Sequence, residues 1–345
     1  MKKKLCVFTL YSEKGASSQY RAYIFKDAFS LKYDVKWYNF WNDKYVTLYM
    51  HNKKKYMINI MLQYIISTIK RIVQLLLIAP KSDIVFIQKA TIPKIRYTFL
   101  KRVRRRNKRI VFDVDDAIYT IPKDNSKYIA QLSDVVICGN DTLKKYYQNY
   151  CRNCVVIPTV DNTHFYKSFW SDTFNQKVIG WIGSKTTIDN FDLIIDALNE
   201  VIVKHPEIKV NIISNTALDY TDKIKNSYLI PWSSKTYLEE IGKFTIGIMP
   251  LKDNNMNRGK CGFKLIQYLN MIKPVIGSSV GVNKEIIQGN GIVANTTEEW
   301  VDAMETLLYD EKKYNECIFN IETVFFDKYH YDVVVKQLMH ILDKE

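Results

Sequence analysis

KCGFKLIQYLNMIKPVIGSSVGVNKEIIQGNGIVA, residues 260–294, decides how this chain is read. It runs as a small-residue loop, a helix, a short buried strand, a second Gly-rich turn and a second helix. Gly259, Gly262 and the backbone around Phe263 open the first helix, where free N–H groups and the helix dipole favour an anion. Lys260 and Lys264 add positive charge at the same place. Leu265, Ile266, Leu269 and Met271 can bury one side of that helix against a sheet. Pro274 then opens the strand PVIG, and Ser278, Ser279 and Gly281 make the second turn. Two loops at carboxyl ends of strands, each feeding a helix N-terminus, suit a nucleotide diphosphate on a doubly wound sheet.

Working outward, VIGWIGSKTTIDNF (residues 178–191) is a strand entering Gly183, Ser184, Lys185 and Thr186, then a helix over Phe191–His205. Backbone N–H groups and two hydroxyls in that turn can hold a diphosphate; alone, such a turn is as readily a plain N-cap. Val210–Ile213 and Ile246–Met249 continue the same sheet, and helices over Glu298–Tyr309 and Asp332–Asp343 close the chain. The first half has the same rhythm. Strands are expected at Leu5–Leu10, Asp34–Phe40, Ile84–Gln88, Ile110–Val114, Val135–Cys138 and Val155–Ile157. Helices are expected at Arg21–Phe29, Tyr56–Ile78 and Tyr97–Arg106.

The 260–294 stretch resembles the donor-binding segment of glycosyltransferase family 4, the retaining enzymes of GT-B fold, in a bacterial polysaccharide or glycolipid branch. GFKLIQYLNMIKPVIGSSVGVNKEII follows that family's order of Gly/Phe loop, helix, Pro-Val-Ile, Gly and Glu-Ile. The family's two Glu, separated by seven residues, fall on Gly259 and Gln267, so both carboxylates are absent. The resemblance implies two Rossmann-like doubly wound domains facing a central cleft. Residues 1–160 would form the acceptor domain and residues 161–324 the donor domain, with a last helix, about residues 325–345, packed back on the first. Ile157–Asp161 resembles the hinge. Donor binding would fall on Gly183, Ser184, Lys185, Thr186, Lys260, Gly262, Phe263, Lys264 and Gln267. Lys264 would stabilise the leaving diphosphate, and Gln267 would take the ribose hydroxyls where the family has Glu.

The bulk numbers agree with two domains. The 345 residues are 47% hydrophobic and carry a net charge of +14. Residues 1–170 hold 31 Lys+Arg against 12 Asp+Glu, and residues 171–345 hold 19 against 24, or +19 and −5. The first half therefore calls for an anionic partner: a lipid-pyrophosphate acceptor, lipid headgroups or nucleic acid. Of six cysteines only Cys151 and Cys154 form a CxxC pair, and the five His offer no further ligand set, so no metal is expected. MKKK leads straight into an apolar strand rather than a leader with a cleavage site. A cytoplasmic chain, peripheral on the inner face of the cell membrane, is the expectation.

RIVFDVDDAIY (residues 109–119) is the sharpest feature of the first half. Asp113, Asp115 and Asp116 follow a buried strand. One reading is a metal-binding Asp-x-Asp of GT-A type on Asp113 and Asp115. The GT-B reading instead gives Asp115 and Asp116 contacts to the reacting sugar or the acceptor. Gly15, Ser17, Ser18 and Arg21 stand at the first loop-to-helix junction, where Arg21 can bind an acceptor phosphate bidentately; with Asp113 they complete the expected acceptor set. Against each stands a plainer role as a capped turn or a solvated side chain.

KRVRRRNKR (residues 101–109) lacks a nucleic-acid motif and interleaved aromatics, so nucleic acid is not the expected partner. With the Tyr56–Ile78 helix, too charged near its middle to span, it fits a peripheral anionic membrane face. The expected activity is transfer of a hexose from a nucleotide sugar, UDP-linked, to a glycan or lipid-linked acceptor, with retention and no cofactor. The rivals are the metal-dependent GT-A transferase and a non-catalytic basic membrane- or nucleic-acid-binding protein.

Overall fold

In a computed structural model, which describes residues 2–106, 109–184, 187–215 and 220–344, the chain divides into two units. The first comprises Met1–Thr159, Gly259–Cys261 and Val334–Glu345; the second comprises Val160–Arg258 and Gly262–Val333. Each is built on a six-stranded, wholly parallel sheet. Strands such as IVFIQ and VIGWI are buried at every position, the pattern of a sheet covered by helices on both faces.

The first sheet holds β1 (Lys4–Tyr11), β2 (Asp34–Trp41), β3 (Ile84–Gln88), β4 (Arg109–Val114), β5 (Val135–Cys138) and β6 (Cys154–Val156), in the order β2-β1-β3-β4-β5-β6. The second holds β7 (Val178–Ile182), β8 (Lys209–Ile213), β9 (Ser227–Ile230), β10 (Ile246–Met249), β11 (Val275–Gly277) and β12 (Gly291–Val293). Its order, β12-β11-β10-β7-β8-β9, reverses between β7 and β10. The first sheet reverses between β1 and β3. Ligands of doubly wound sheets bind beyond the carboxyl ends of strands at such reversals.

Several expected helices need correction. The first begins earlier, at Ala16–Arg21, and resumes at Lys26–Lys32 after a break at Ala22. Gly-Ala-Ser-Ser reads as loop in isolation. Long-range hydrogen bonds, from Gln88 to the Ser17 hydroxyl and from the Ser18 hydroxyl to Gln88, hold it as helix. Tyr97–Arg106 shrinks to Lys101–Arg105, because Phe99 takes φ 59°, outside the right-handed helical region. Phe191–His205 becomes a tight 3-10 turn, Ile188–Leu193, followed by an α-helix, Ile195–Lys204. The weakly patterned β9 and β12, and the helix Glu311–Asn320, have no counterpart in the sequence reading.

The last helix, Tyr331–Asp343, sends most of its length to the first unit. There Tyr33 donates to Asp343 at 2.5 Å, Lys32 pairs with the same carboxylate, and Arg109 donates to the Ile341 carbonyl at 2.8 Å.

Candidate functional site

In the second unit the site is built by one aromatic residue. Gly247 of β10 has no Cβ, so the Tyr268 ring lies against it. The Tyr268 hydroxyl then accepts the Ile182 N–H at 2.9 Å, tying the helix Phe263–Asn270 to the end of β7. Lys264 lies one turn earlier on the same helical row. Its ammonium sits 5.5 Å from the Trp181 ring centroid, over the strand that leads into Gly183. Gly183 is required there: a Cβ would stand 2.9 Å from the Lys264 Cε and nearer still to the Trp181 ring.

Gly262 is the N-cap of this helix, in the left-handed region at φ 65°. Gly183, Ser184, Gly262, Phe263 and Lys264 all belong to the second unit, and Gly183 and Lys264 meet directly at the reversal between β7 and β10. Lys185 and Thr186 lie outside the described residues. In the second turn, Ser278 accepts the Leu251 N–H at 3.0 Å. Ser279 donates both its N–H and its hydroxyl to Asn295 Oδ1.

Two residues expected to bind the donor are placed differently from the expectation. Lys260 belongs to the first unit, where Asn140 donates to the Gly259 and Lys260 carbonyls at 3.0 and 2.9 Å. Its charge helps lower the pKa of Asp116. Gln267 is buried, not open to a ribose, and hydrogen-bonds the Asp161 carboxylate. Burial raises the Asp161 pKa. Hydrogen bonds from Tyr166 (2.7 Å), the Asn162 N–H (2.7 Å), Gln267 and Tyr237 (3.5 Å) hold it back.

Gln267→Glu, which restores the family's carboxylate, is therefore expected to destabilise the protein. It replaces a donor with a second acid beside a buried one. The loss should be about 1–3 kcal/mol, the scale for a buried polar group left unsatisfied. The pair binds an extra proton when folded, so the deficit should grow as pH rises and shrink toward about pH 5. Urea unfolding at about pH 5 and about pH 8 reads this directly. Equal stability of variant and wild type at both would return Gln267 to the ligand.

The first unit gathers a second polar cluster at its own reversal. Arg21 binds Asp113 with both arms, Nε to Oδ1 at 3.0 Å and Nη2 to Oδ2 at 2.6 Å. Its Nη1 donates to the Ile157 carbonyl at 2.9 Å and to Thr159 Oγ1 at 3.3 Å. Both side chains are buried, 3% and 2% exposed. Burial raises the Asp113 pKa, and Arg21 pulls it back down. This corrects two expectations: Arg21 has its guanidinium committed and does not offer a fork to a phosphate, and Asp113 offers no oxygen to an acceptor.

Asp115 and Asp116 share Lys89, whose ammonium lies 3.3 Å from Asp115 and 2.5 Å from Asp116. Burial raises Asp115 to about 6 against the pull of Lys89, with the Asp116 charge adding to the rise. Asp116 reaches solvent, and Lys89, with Lys260 behind it, outweighs burial and holds its pKa below the ordinary carboxylate value. Ser17 reaches both Asp115 oxygens at 3.4 Å and accepts from Gln88 at 2.9 Å. Ser18 donates to Gln88 at 2.9 Å and accepts the Tyr11 N–H at 3.0 Å. Gly15 caps the helix that carries both serines.

Sequence reasoning missed Lys89 and Gln88. Gln88 ends β3 and Lys89 follows it, at the reversal beside β1, and that topology was the signal available. Lys89 adopts φ 66°, a left-handed conformation uncommon for a Lys, with its N–H bonded to the Asp113 carbonyl at 2.9 Å. Cys261 was also missed. It is buried in the first unit and donates to the Asp115 carbonyl at 2.6 Å. The Asp-x-Asp metal reading loses its donors here, because Asp113 is occupied by Arg21 and Asp115 by Lys89.

Cys151 and Cys154 are buried free thiols. Among the described residues, His164, His330 and Asp332 do bring three potential ligand atoms within 4.8 Å. Asp332 pairs with His164 at 3.2 Å and with His330 at 3.6 Å at the start of the last helix.

Solved structures of similar fold cover almost the whole chain. HepE of Anabaena, in complex with UDP-glucose, aligns with a TM-score of 0.70 at 11% identity, over 98% of this chain and 99% of that one. The trehalose 6-phosphate synthase of Burkholderia multivorans gives 0.67 at 10%, over 99% and 96%. A Listeria monocytogenes protein described as a UDP-N-acetylglucosamine 2-epimerase gives 0.61 at 10%, over 100% and 98%. The fold is GT-B. Residues 176–310 match the family model of glycosyl transferases group 1. That span holds β7 to β12 with Gly183, Lys264 and Gln267. No curated protein matches the chain by sequence. Together the family match and the fold support a glycosyltransferase.

Proposed function

We propose that this GT-B protein transfers a hexose from a UDP-linked sugar to a glycan or lipid-pyrophosphate acceptor, with retention at the anomeric carbon and without a metal. The observation that carries the reading is the meeting of Gly183 and Lys264 at the reversal of the second sheet, inside the family-matched span. As the nucleoside diphosphate departs, negative charge develops on its phosphate oxygens. The Lys264 ammonium and the positive end of the helix dipole after Gly262 stabilise that charge. The same features hold the diphosphate in the ground state.

In the first unit, Asp115 and Asp116 are assigned to the acceptor hydroxyl. Lys89 fixes both carboxylates, Ser17 orients Asp115, and Asp116 is the one that reaches solvent. Arg21 and Asp113 act as the buried support beneath them. Lys89, Lys260 and Arg21 supply positive charge around these carboxylates, which disfavours a divalent cation there.

The test is a transfer assay with the full chain, a panel of UDP-hexoses and a lipid-pyrophosphate acceptor, with and without EDTA. Sugar appearing on the acceptor, with little change in EDTA, is the expected result. Full loss in EDTA with rescue by Mn²⁺ would favour the metal-dependent rival. An epimerised UDP-sugar with no transfer would assign the fold's other chemistry instead, since a protein described as an epimerase shares it.

A further inference from the structure

The helix Met57–Val73, continued through Ile78, keeps its broadest apolar face outward. Its outward row, Ile58, Met61, Leu62, Ile65, Ile66 and Ile69, is 52–70% exposed. Its inward row sets Gln63, Tyr64, Ser67, Thr68 and the fully buried Arg71 among Ile60, Ile72 and Leu75. A helix that only covered the core of a protein in water would keep its outward face polar. A contiguous apolar stripe of this length on an exposed helix marks an interaction surface.

We infer that this face docks flat on an anionic lipid membrane. Charge selects that occupant. From Lys44 to Arg109 the only carboxylate is Asp83. Lys53, Lys54 and Lys55 precede the helix, and exposed Lys70 lies on it. Lys94 and Arg96 are exposed on either side of Ile95, which packs against the same small core as Ile60 and Tyr64 on the inner side of the helix. At the far end, Val103 shares a core with Leu75 and Ala79, which brings exposed Lys101, Arg102 and Arg105 to the rim. A second copy seated on this face would set like charges against each other. Anionic headgroups would neutralise them while acyl chains take up the apolar row.

The segment Met57–Lys81 is long and apolar enough to cross a bilayer, but its inner face is fastened to the first unit. Arg71 donates to the carbonyls of Thr9 (3.1 Å), Tyr38 (2.9 Å) and Thr91 (2.9 Å). Tyr64 donates to the Pro93 carbonyl at 2.7 Å, and Leu75 is wholly buried. Spanning would strip these bonds and carry Arg71 into hydrocarbon, so the helix lies in the interface plane.

The test is co-sedimentation of the full chain with phosphatidylcholine vesicles, with and without phosphatidylglycerol, over a salt series. Two triple variants, each checked by circular dichroism, accompany wild type: Met61→Gln, Ile65→Gln, Ile69→Gln, and Lys53→Glu, Lys54→Glu, Lys55→Glu. Wild type should bind the anionic vesicles and release as salt rises. The first variant should lose on the order of a hundredfold in binding. The second should lose roughly a hundredfold or more with a weaker salt dependence. All substituted side chains are exposed, and the lysine set reads the proposal even if the glutamine set misfolds. No binding, equal binding to neutral vesicles, or wild-type binding by a folded variant would overturn it. So would a dimer in solution that the glutamine variant dissociates.

Discussion

Lys264→Ala is expected to lower turnover by about a hundredfold or more, the scale set by removing one charge-stabilising donor. The fold should survive, because the helix is held by Tyr268 on Gly247 and by the hydrogen bond from the Ile182 N–H, neither of which involves the lysine. The loss should fall mainly on kcat, since the developing charge on the departing phosphate is greatest in the transition state. Lys264→Arg is a sharper variant. The guanidinium keeps the charge but must fit between Trp181 and the Gly183 turn, so partial activity is expected. A well-folded Lys264→Ala enzyme with wild-type turnover would remove the lysine from the site.

Arg21→Met should cost about 3–5 kcal/mol of stability, because Asp113 is then buried without its cation. Its pKa would rise further above the unfolded value. The variant's deficit should therefore grow as pH rises through that pKa and lessen in acid. Arg21→Met combined with Asp113→Leu should recover much of the loss, since an apolar pair can replace a buried ion pair of similar volume. Urea unfolding of the single and double variants measures all three points. If Arg21→Met kept wild-type stability but lost acceptor use, the arginine would be a ligand-binding residue after all.

The second unit was the more legible half. Period-two and apolar runs gave β7, β8, β10 and β11, and the segment 260–294 gave both the helix and its position after a strand. What it could not give was which side chains turn inward. Gln267 and Lys264 lie three residues apart on one helix, yet one is buried against Asp161 and the other lies over Trp181. That division depends on Tyr166 and Tyr237, residues distant in sequence.

In the first unit the three aspartates were visible, but their partners were not. Arg21 and Asp113 are 92 residues apart, and no local pattern joins them. Lys89 was hidden as an ordinary lysine after a strand until the sheet order placed it at the reversal. Gly259–Cys261 read as the opening of the donor helix, because composition cannot tell that Asn140 holds those carbonyls. The long helix was legible as a helix too charged near its middle to span. Which face it shows could be read only once Arg71 was seen bonded to β1 and β2 carbonyls.

The proposed function places a nucleoside diphosphate on the second unit, against Gly183 and Lys264. Calorimetric titration of UDP into the full chain, Lys264→Ala and Gly183→Ala tests it most directly. A Cβ at Gly183 would press on the Trp181 ring and the lysine stem, so that variant disturbs the site from the opposite side. Wild type should bind UDP, and each variant should bind it at least about tenfold more weakly, a difference of about 1.4 kcal/mol. UDP affinity that is the same in all three folded proteins, or no UDP binding by wild type, would contradict it.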